Sequence, residues 1–153
     1  MTPPLYANPD FFRLLTGSYQ CLTGRPLLDP ALAEAEAMRW LYEDAPFCVL
    51  AHDTAESPVF VYANRTAQRC FGYDWDKFTR LESRLSAEAP NRDERQRLLE
   101  AVQRDGFADG YRGLRIARDG RRFWIEDVTV WNLIDEDGAY HGQAATYRHW
   151  RDA

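Results

Sequence analysis

Two turn signals in the C-terminal third of the chain limit what it can fold into. Arg118-Asp119-Gly120 and Asp135-Glu136-Asp137-Gly138 separate three runs rich in Leu, Ile, Val, Phe and Trp between Tyr111 and Trp150. Short polar turns closed by glycine between β-branched and aromatic runs mark antiparallel strands joined directly to one another. The stretch therefore predicts a three-stranded antiparallel meander. Along its middle run the apolar phase shifts, from Phe123 and Ile125 to Val128 and Val130. Side chains alternate faces along a strand, so this shift requires either a bulge or cover on both faces.

The cover is available upstream. Asn8, Pro9 and Asp10 supply an N-cap, a first-turn proline and a first-turn acid, and Phe11, Phe12, Leu15, Tyr19 and Leu22 follow at helical spacing until Gly24 and Pro26. A second helix is predicted from Asp29-Pro30, with Leu32, Ala35, Met38, Leu41 and Tyr42 on one stripe. Pro46 ends the helical pattern, and Phe47 to Ala51 and Val59 to Tyr62 read as a hairpin with a polar loop from His52 to Pro58. Asn64 can cap a short helix through Phe71 with Gly72 as its exit, and Asp74 another containing Trp75, Phe78 and Leu81. Asn91 with Glu94 forms a capping-box-like start to a longer helix whose Leu98, Leu99 and Val102 face inward before Gly106. The expected architecture is α+β: residues 1–45 as a helical extension packing on the sheet, and 46–153 as the domain proper.

At 153 residues and 45% hydrophobic, the chain has material for one proper core. A net charge of −5 argues against general affinity for nucleic acid, and the Arg92/Arg95/Arg97 and Arg118/Arg121/Arg122 clusters read as solvated faces. Three cysteines, Cys21, Cys48 and Cys70, show no C-x-x-C spacing, which fits a reducing cytoplasm better than a disulfide or zinc scaffold. Neither an export signal nor an apolar run long enough to span a membrane is visible.

The order strand, strand, short helices, longer helix, three strands, together with YANRTAQRCFGYDWDKF (Tyr62 to Phe78), resembles a PAS domain. More closely, SYQCLTGRPLL, YANRTA, SRLSAEAPNR, GLRIARDGRRFWIED, TVWNLIDEDG and HGQAAT resemble the MEKHLA family, a PAS-like group found as stand-alone bacterial proteins and at the C-terminus of plant homeodomain-leucine zipper regulators. The resemblance is to the bacterial stand-alone form and spans nearly the whole chain. It implies a five-stranded antiparallel sheet with helices packed on it and a sensing or protein-interaction role, with no known ligand or reaction.

The resemblance also allows cofactors to be weighed. PAS relatives that form a flavin–cysteine adduct carry their cysteine where this chain reads SRLSAEAPNR, and their two asparagines align with Arg115 and Ile125. Haem-binding relatives offer a histidine from the long helix, whereas residues 92–104 contain none. Both cofactors are disfavoured, and Cys70, near the expected pocket wall, reads first as a small hydrophobe. His52, His141 and His149 read as surface or supporting histidines rather than a metal site. No G-x-S-x-G or H-E-x-x-H motif occurs, and Glu126 and Asp127, as strand neighbours, point to opposite faces.

What remains is a candidate pocket for a small acidic or aromatic ligand. Arg115 would supply the cation, Asn64 and Gln143 amide hydrogen bonds, and Phe71, Trp124 and Ile125 the wall. The alternative is an Arg115 on the outer face, lying over an aromatic ring. The leading function is a non-catalytic sensor, with a homodimer through Phe11, Phe12, Leu15 and Met38 set against packing of those residues on the domain's own sheet. A protein-interaction module with a filled core is the second reading, which a cavity below the usual ligand range would favour. An NTF2-like isomerase or dehydratase using Asp127 or His141 is the third.

Overall fold

The computed structural model describes residues 3–87 and 92–153. Its helices are α1 (Pro9–Thr23), α2 (Glu34–Glu43), α3 (Arg65–Phe71), α4 (Trp75–Phe78) and α5 (Arg92–Asp105). Its strands are β1 (Cys48–His52), β2 (Phe60–Ala63), β3 (Phe107–Ile116), β4 (Arg122–Ile134), β5 (Tyr140–Tyr147) and β6 (His149–Asp152). All pairings are antiparallel, in the order β2-β1-β5-β4-β3, with β6 also on β4. The expected third strand of the meander is thus broken at Arg148. Thr129 pairs with Thr146 and Glu126 with His149, so the register is unchanged across the break.

The phase shift on β4 has both of its candidate causes. Asp127 has φ 52°, the left-handed region, and between Tyr111 and Gly113 the β3–β4 register slips by one residue. This bulge turns the strand over. Phe123, Ile125, Val128 and Val130 then share the inner face, with Phe71, Phe78 and Val102 packed on them from α3, α4 and α5. Trp131 and Leu133 fall on the outer face, against Leu15 and Tyr19 of α1 and Leu41 and Tyr42 of α2. The sheet therefore separates two cores.

α1 is fastened to β4 by polar contacts as well. The Trp131 indole N–H donates to the Leu15 carbonyl at 3.2 Å; the Ser18 hydroxyl donates to the Ile134 carbonyl at 2.8 Å and accepts from the Ile134 N–H at 2.9 Å. Asn8 caps the helix through the Asp10 and Phe11 N–H groups, and Gly24 closes it at φ 74°. Leu15 is buried and Phe11 and Phe12 pack on the same cluster, so these three serve the chain's own core. Met38 is half-buried.

Two helical expectations shift. α2 begins at Glu34 rather than Asp29, and its buried stripe is Ala37, Leu41 and Tyr42, leaving Ala35 exposed. Pro30 and its neighbours form a turn instead, where Asp29 Oδ1 accepts from the Ala31 N–H. On α5, Leu98 and Val102 face the core, but Leu99 is 48% exposed. The expected cap at Asn91 lies outside the described residues.

Beyond α1, Arg25 pairs with Asp109 of β3 at 2.9 Å, and the Thr129 hydroxyl donates to the same carboxylate at 2.6 Å. The Arg25 guanidinium holds the Asp109 carboxyl below its usual range, with Thr129 adding to the effect against partial burial. A depressed folded pKa stabilises above the ordinary value and ceases to do so as pH falls through the folded one. The stability gap between the natural chain and D109N should therefore close on acidification below about pH 4 in urea titrations. A gap unchanged from neutral pH to pH 3 would show that the ion pair contributes nothing.

Candidate ligand cavity

The inner face of the sheet is mostly filled. Toward α5 and the single turn of 3₁₀ helix at Ser83–Ser86 it leaves a cavity of about 180 Å³, lined by Leu50, His52, Phe60, Tyr111, Arg115, Val130 and Gln143 among others. Strand parity explains the set: Tyr111, Gly113 and Arg115 alternate on β3, and Leu50 and His52 on β1. Gly113 matters here because a Cβ there would lie 2.7 Å from Arg115 Nη1 and 2.9 Å from the Tyr111 hydroxyl. The bare backbone is what lets those two long side chains converge.

Arg115 is half-buried. Its Nη1 donates to the Leu114 carbonyl at 3.0 Å and its guanidinium lies 5.8 Å from the Tyr111 ring centroid. Among the described residues no carboxylate forms an ion pair with it. Gln143 donates Nε2 to Asn132 Oδ1 at 3.3 Å and faces His52 across the β1–β5 pair. His52 Nδ1 lies 2.9 Å from the Asp53 carbonyl. A carbonyl only accepts, so Nδ1 is the donor in this contact. The cavity thus joins a cation, an amide, an imidazole and a phenol within an apolar frame.

Of the six side chains expected at the pocket, Arg115 and Gln143 line this cavity and four do not. Asn64 is fully buried, and its amide is committed elsewhere: Oδ1 accepts from the Val49 and Ala67 N–H groups at 3.1 Å, and Nδ2 donates to the Leu41 and Phe47 carbonyls at 3.1 and 2.9 Å. Phe71 is enclosed between Phe78 and Phe123, with ring centroids at 5.4 and 5.1 Å. Ile125 is core, opposite Gly113. Trp124 takes the outer face because it sits one residue before Ile125, and Arg112 stacks on it at 3.9 Å. Glu126 is paired with Arg151 at 2.7 Å while Asp127 is exposed.

His52 and Tyr111 also line the cavity, and their parity with Leu50 and Arg115 is readable in the sequence. The histidines stay apart: His141 bonds Asp135 at 2.7 Å on the surface, and His149 is exposed on β6. Among the described residues no group of three metal-ligating side chains occurs, and no helix is long and apolar enough to cross a membrane.

A five-position antiparallel sheet with short helices on its inner face defines a PAS-like domain. Residues 9–152 match the MEKHLA domain model, so the chain belongs to the MEKHLA family. Solved structures agree on the fold. An RNA-binding Light-Oxygen-Voltage receptor superposes with TM-score 0.63 at 23% identity over 82% of this chain, which spans 34% of that receptor. The PAS domain of a protein from Colwellia psychrerythraea gives TM-score 0.56 at 16% identity, covering 76% of this chain and 92% of that one. The LOV domain of a blue-light-activated histidine kinase from Erythrobacter litoralis gives 0.55 at 19%, covering 71% and 96%. No curated protein sequence matches.

Proposed function

We propose that the chain is a non-catalytic sensory domain whose inner cavity takes a small carboxylate. The observation that carries this reading is the Arg115 guanidinium, a half-buried cation lining a cavity without an acidic partner among the described residues. A bidentate carboxylate complements such a group. At about 180 Å³ the cavity holds the equivalent of about six waters at ~30 Å³ each, which suits a short-chain acid and not a flavin ring system. Cys70, whose thiol faces Tyr147 rather than the cavity, offers no adduct position there.

A ligand present at about 100 times its dissociation constant stabilises by ~2.7 kcal/mol, or about 5–10 °C in Tm for a domain of this size. Native mass spectrometry of protein from its own host, followed by thermal shifts across short mono- and dicarboxylates, is the measurement. A shift of that size that vanishes in R115Q supports the reading; melts that stay flat across the panel, with an apo mass, overturn it. The second reading, an interaction module with a filled core, draws on the same volume, which lies below the ~300–1,000 Å³ of drug-sized sites. Flat melts would favour it.

A further inference from the structure

Cys48 and Cys70 are both buried and both free thiols, and the fold brings them to one spot outside the Arg115 cavity. Cys48 is the cross-strand partner of Tyr147 in the β1–β5 pair, so thiol and phenol stand side by side on the inner face. Cys70, in the last turn of α3, places Sγ 3.6 Å from the Tyr147 hydroxyl. The Cys48 thiol interacts with both the Cys70 thiol and the Tyr147 hydroxyl, so the two sulfurs share one phenol.

Their surroundings make them unequal. The neighbouring Cys48 thiol pulls Cys70 below the ordinary thiol range, opposed by burial and helped by the Tyr147 hydroxyl and the charge of Arg121. Burial drives Cys48 the other way. Arg121 is anchored beside Cys70, its Nη2 donating to the Cys70 carbonyl at 2.9 Å and its Nη1 paired with Asp152 at 2.7 Å. Cys70, 5% exposed and beside the Arg121 cation, is placed to react first, and Cys48, fully enclosed, to resolve it.

We propose that Cys48 and Cys70 form a peroxide-oxidisable pair that closes to an intramolecular disulfide between β1 and α3. In the first step the Cys70 sulfur attacks one oxygen of hydrogen peroxide. An S–O bond forms, the O–O bond breaks, and the departing hydroxide takes up the proton that Cys70 released, leaving a sulfenic acid and water. The Cys48 sulfur then attacks the sulfenic sulfur. The S–S bond forms, the S–O bond breaks, and the Cys48 proton leaves with the hydroxyl as a second water. The two thiols lose two electrons and one peroxide gains them. Hydrogen peroxide is small enough to reach a thiol that is 5% exposed, as Cys70 is. The bond would draw α3 onto β1, next to the join that Asn64 already makes.

Cys21, an exposed thiol on α1, would react regardless, so the experiment uses C21S and keeps the natural chain as a dose gauge. Folded protein is treated with hydrogen peroxide, quenched, and read by intact mass and non-reducing peptide mapping. The expected product has lost two hydrogens, carries a crosslink between the Cys48 and Cys70 peptides, and returns to the starting mass with a dithiol. With C48S added, oxidation should stop at a Cys70 sulfenic acid trapped by a 1,3-dione. With C70S added, thiol consumption should slow by about tenfold or more. The proposal is overturned if both thiols stay reduced at doses that fully oxidise Cys21, if the crosslink forms only in denaturant, or if the trapped acid sits on Cys48 in the C70S chain. Carboxylate binding does not enter these readouts, so failure here and failure of the ligand reading are separate results.

Discussion

Gly142→Ala is expected to destabilise the fold by about 3–5 kcal/mol, a large share of the ~5–15 kcal/mol that holds a typical domain together. Gly142 lies on β5 at φ 136°, where β1 ends against it. A Cβ at this position would overlap the His52 carbonyl oxygen and come within 3.1 Å of its carbon and 3.3 Å of the Asp53 Cα. These are backbone atoms of a paired strand and cannot rotate aside, so β1 and β5 would have to part. Gly138→Ala is the control: its φ is 83° with nothing within 4 Å of the added carbon, so it should lose only the ~1 kcal/mol of a strained backbone. Urea titrations of both variants decide the matter. If the two lose similar amounts, close approach of the strands is not the reason for glycine at 142.

The second large effect is expected at Asn64. Leucine has the same branched skeleton, but Asn64→Leu would leave two N–H groups and two carbonyls without the partners the amide supplies, from β1, α3, the end of α2 and the residue before β1. An orphaned buried group costs about 1–3 kcal/mol, so a loss of ~4 kcal/mol or more is expected, with the N-cap of α3 going at the same time. Equilibrium unfolding is the measurement. A variant within 1 kcal/mol of the natural chain would mean that water or a backbone shift satisfies those groups.

Asn64 also shows where reading the chain succeeded and where it stopped. Its cap on α3 was legible, because capping depends on neighbours three residues away. Its other bonds reach from 15 to 23 residues back, and nothing local announces them. The same division runs through the fold. The turns at Gly120 and Gly138 and the phase shift on β4 were legible, since glycine at positive φ and alternation along a strand are local facts. The break at Arg148 was not, because it answers the bulge at Asp127 on the neighbouring strand. On α2 the expected stripe holds at Leu41 and Tyr42, which pack against Phe47 and Tyr62, but not at Ala35, where Ala37 is buried instead. In the cavity, Arg115 follows from the resemblance to flavin-binding relatives, whereas Trp124 lies one residue out of phase with the inner face. His52 and Tyr111 needed only that parity carried through to the neighbouring strands.

The two cores have no buried residue in common; between them lie the sheet and a polar seam in which Asn64, Thr66 and Gln68 donate to the Leu41 carbonyl, the Ala45 carbonyl and the Tyr42 hydroxyl. The sheet is therefore a diaphragm. A closer fit around Arg115 reaches α1 as a deflection of strands whose far side carries Trp131 and Leu133, and a shorter span between β1 and α3 also reaches α2 through the bonds of Asn64, Thr66 and Gln68. Closely packed interiors transmit such strain rather than absorb it. The sites where α1 would first register it are the Leu15 and Ser18 contacts to β4.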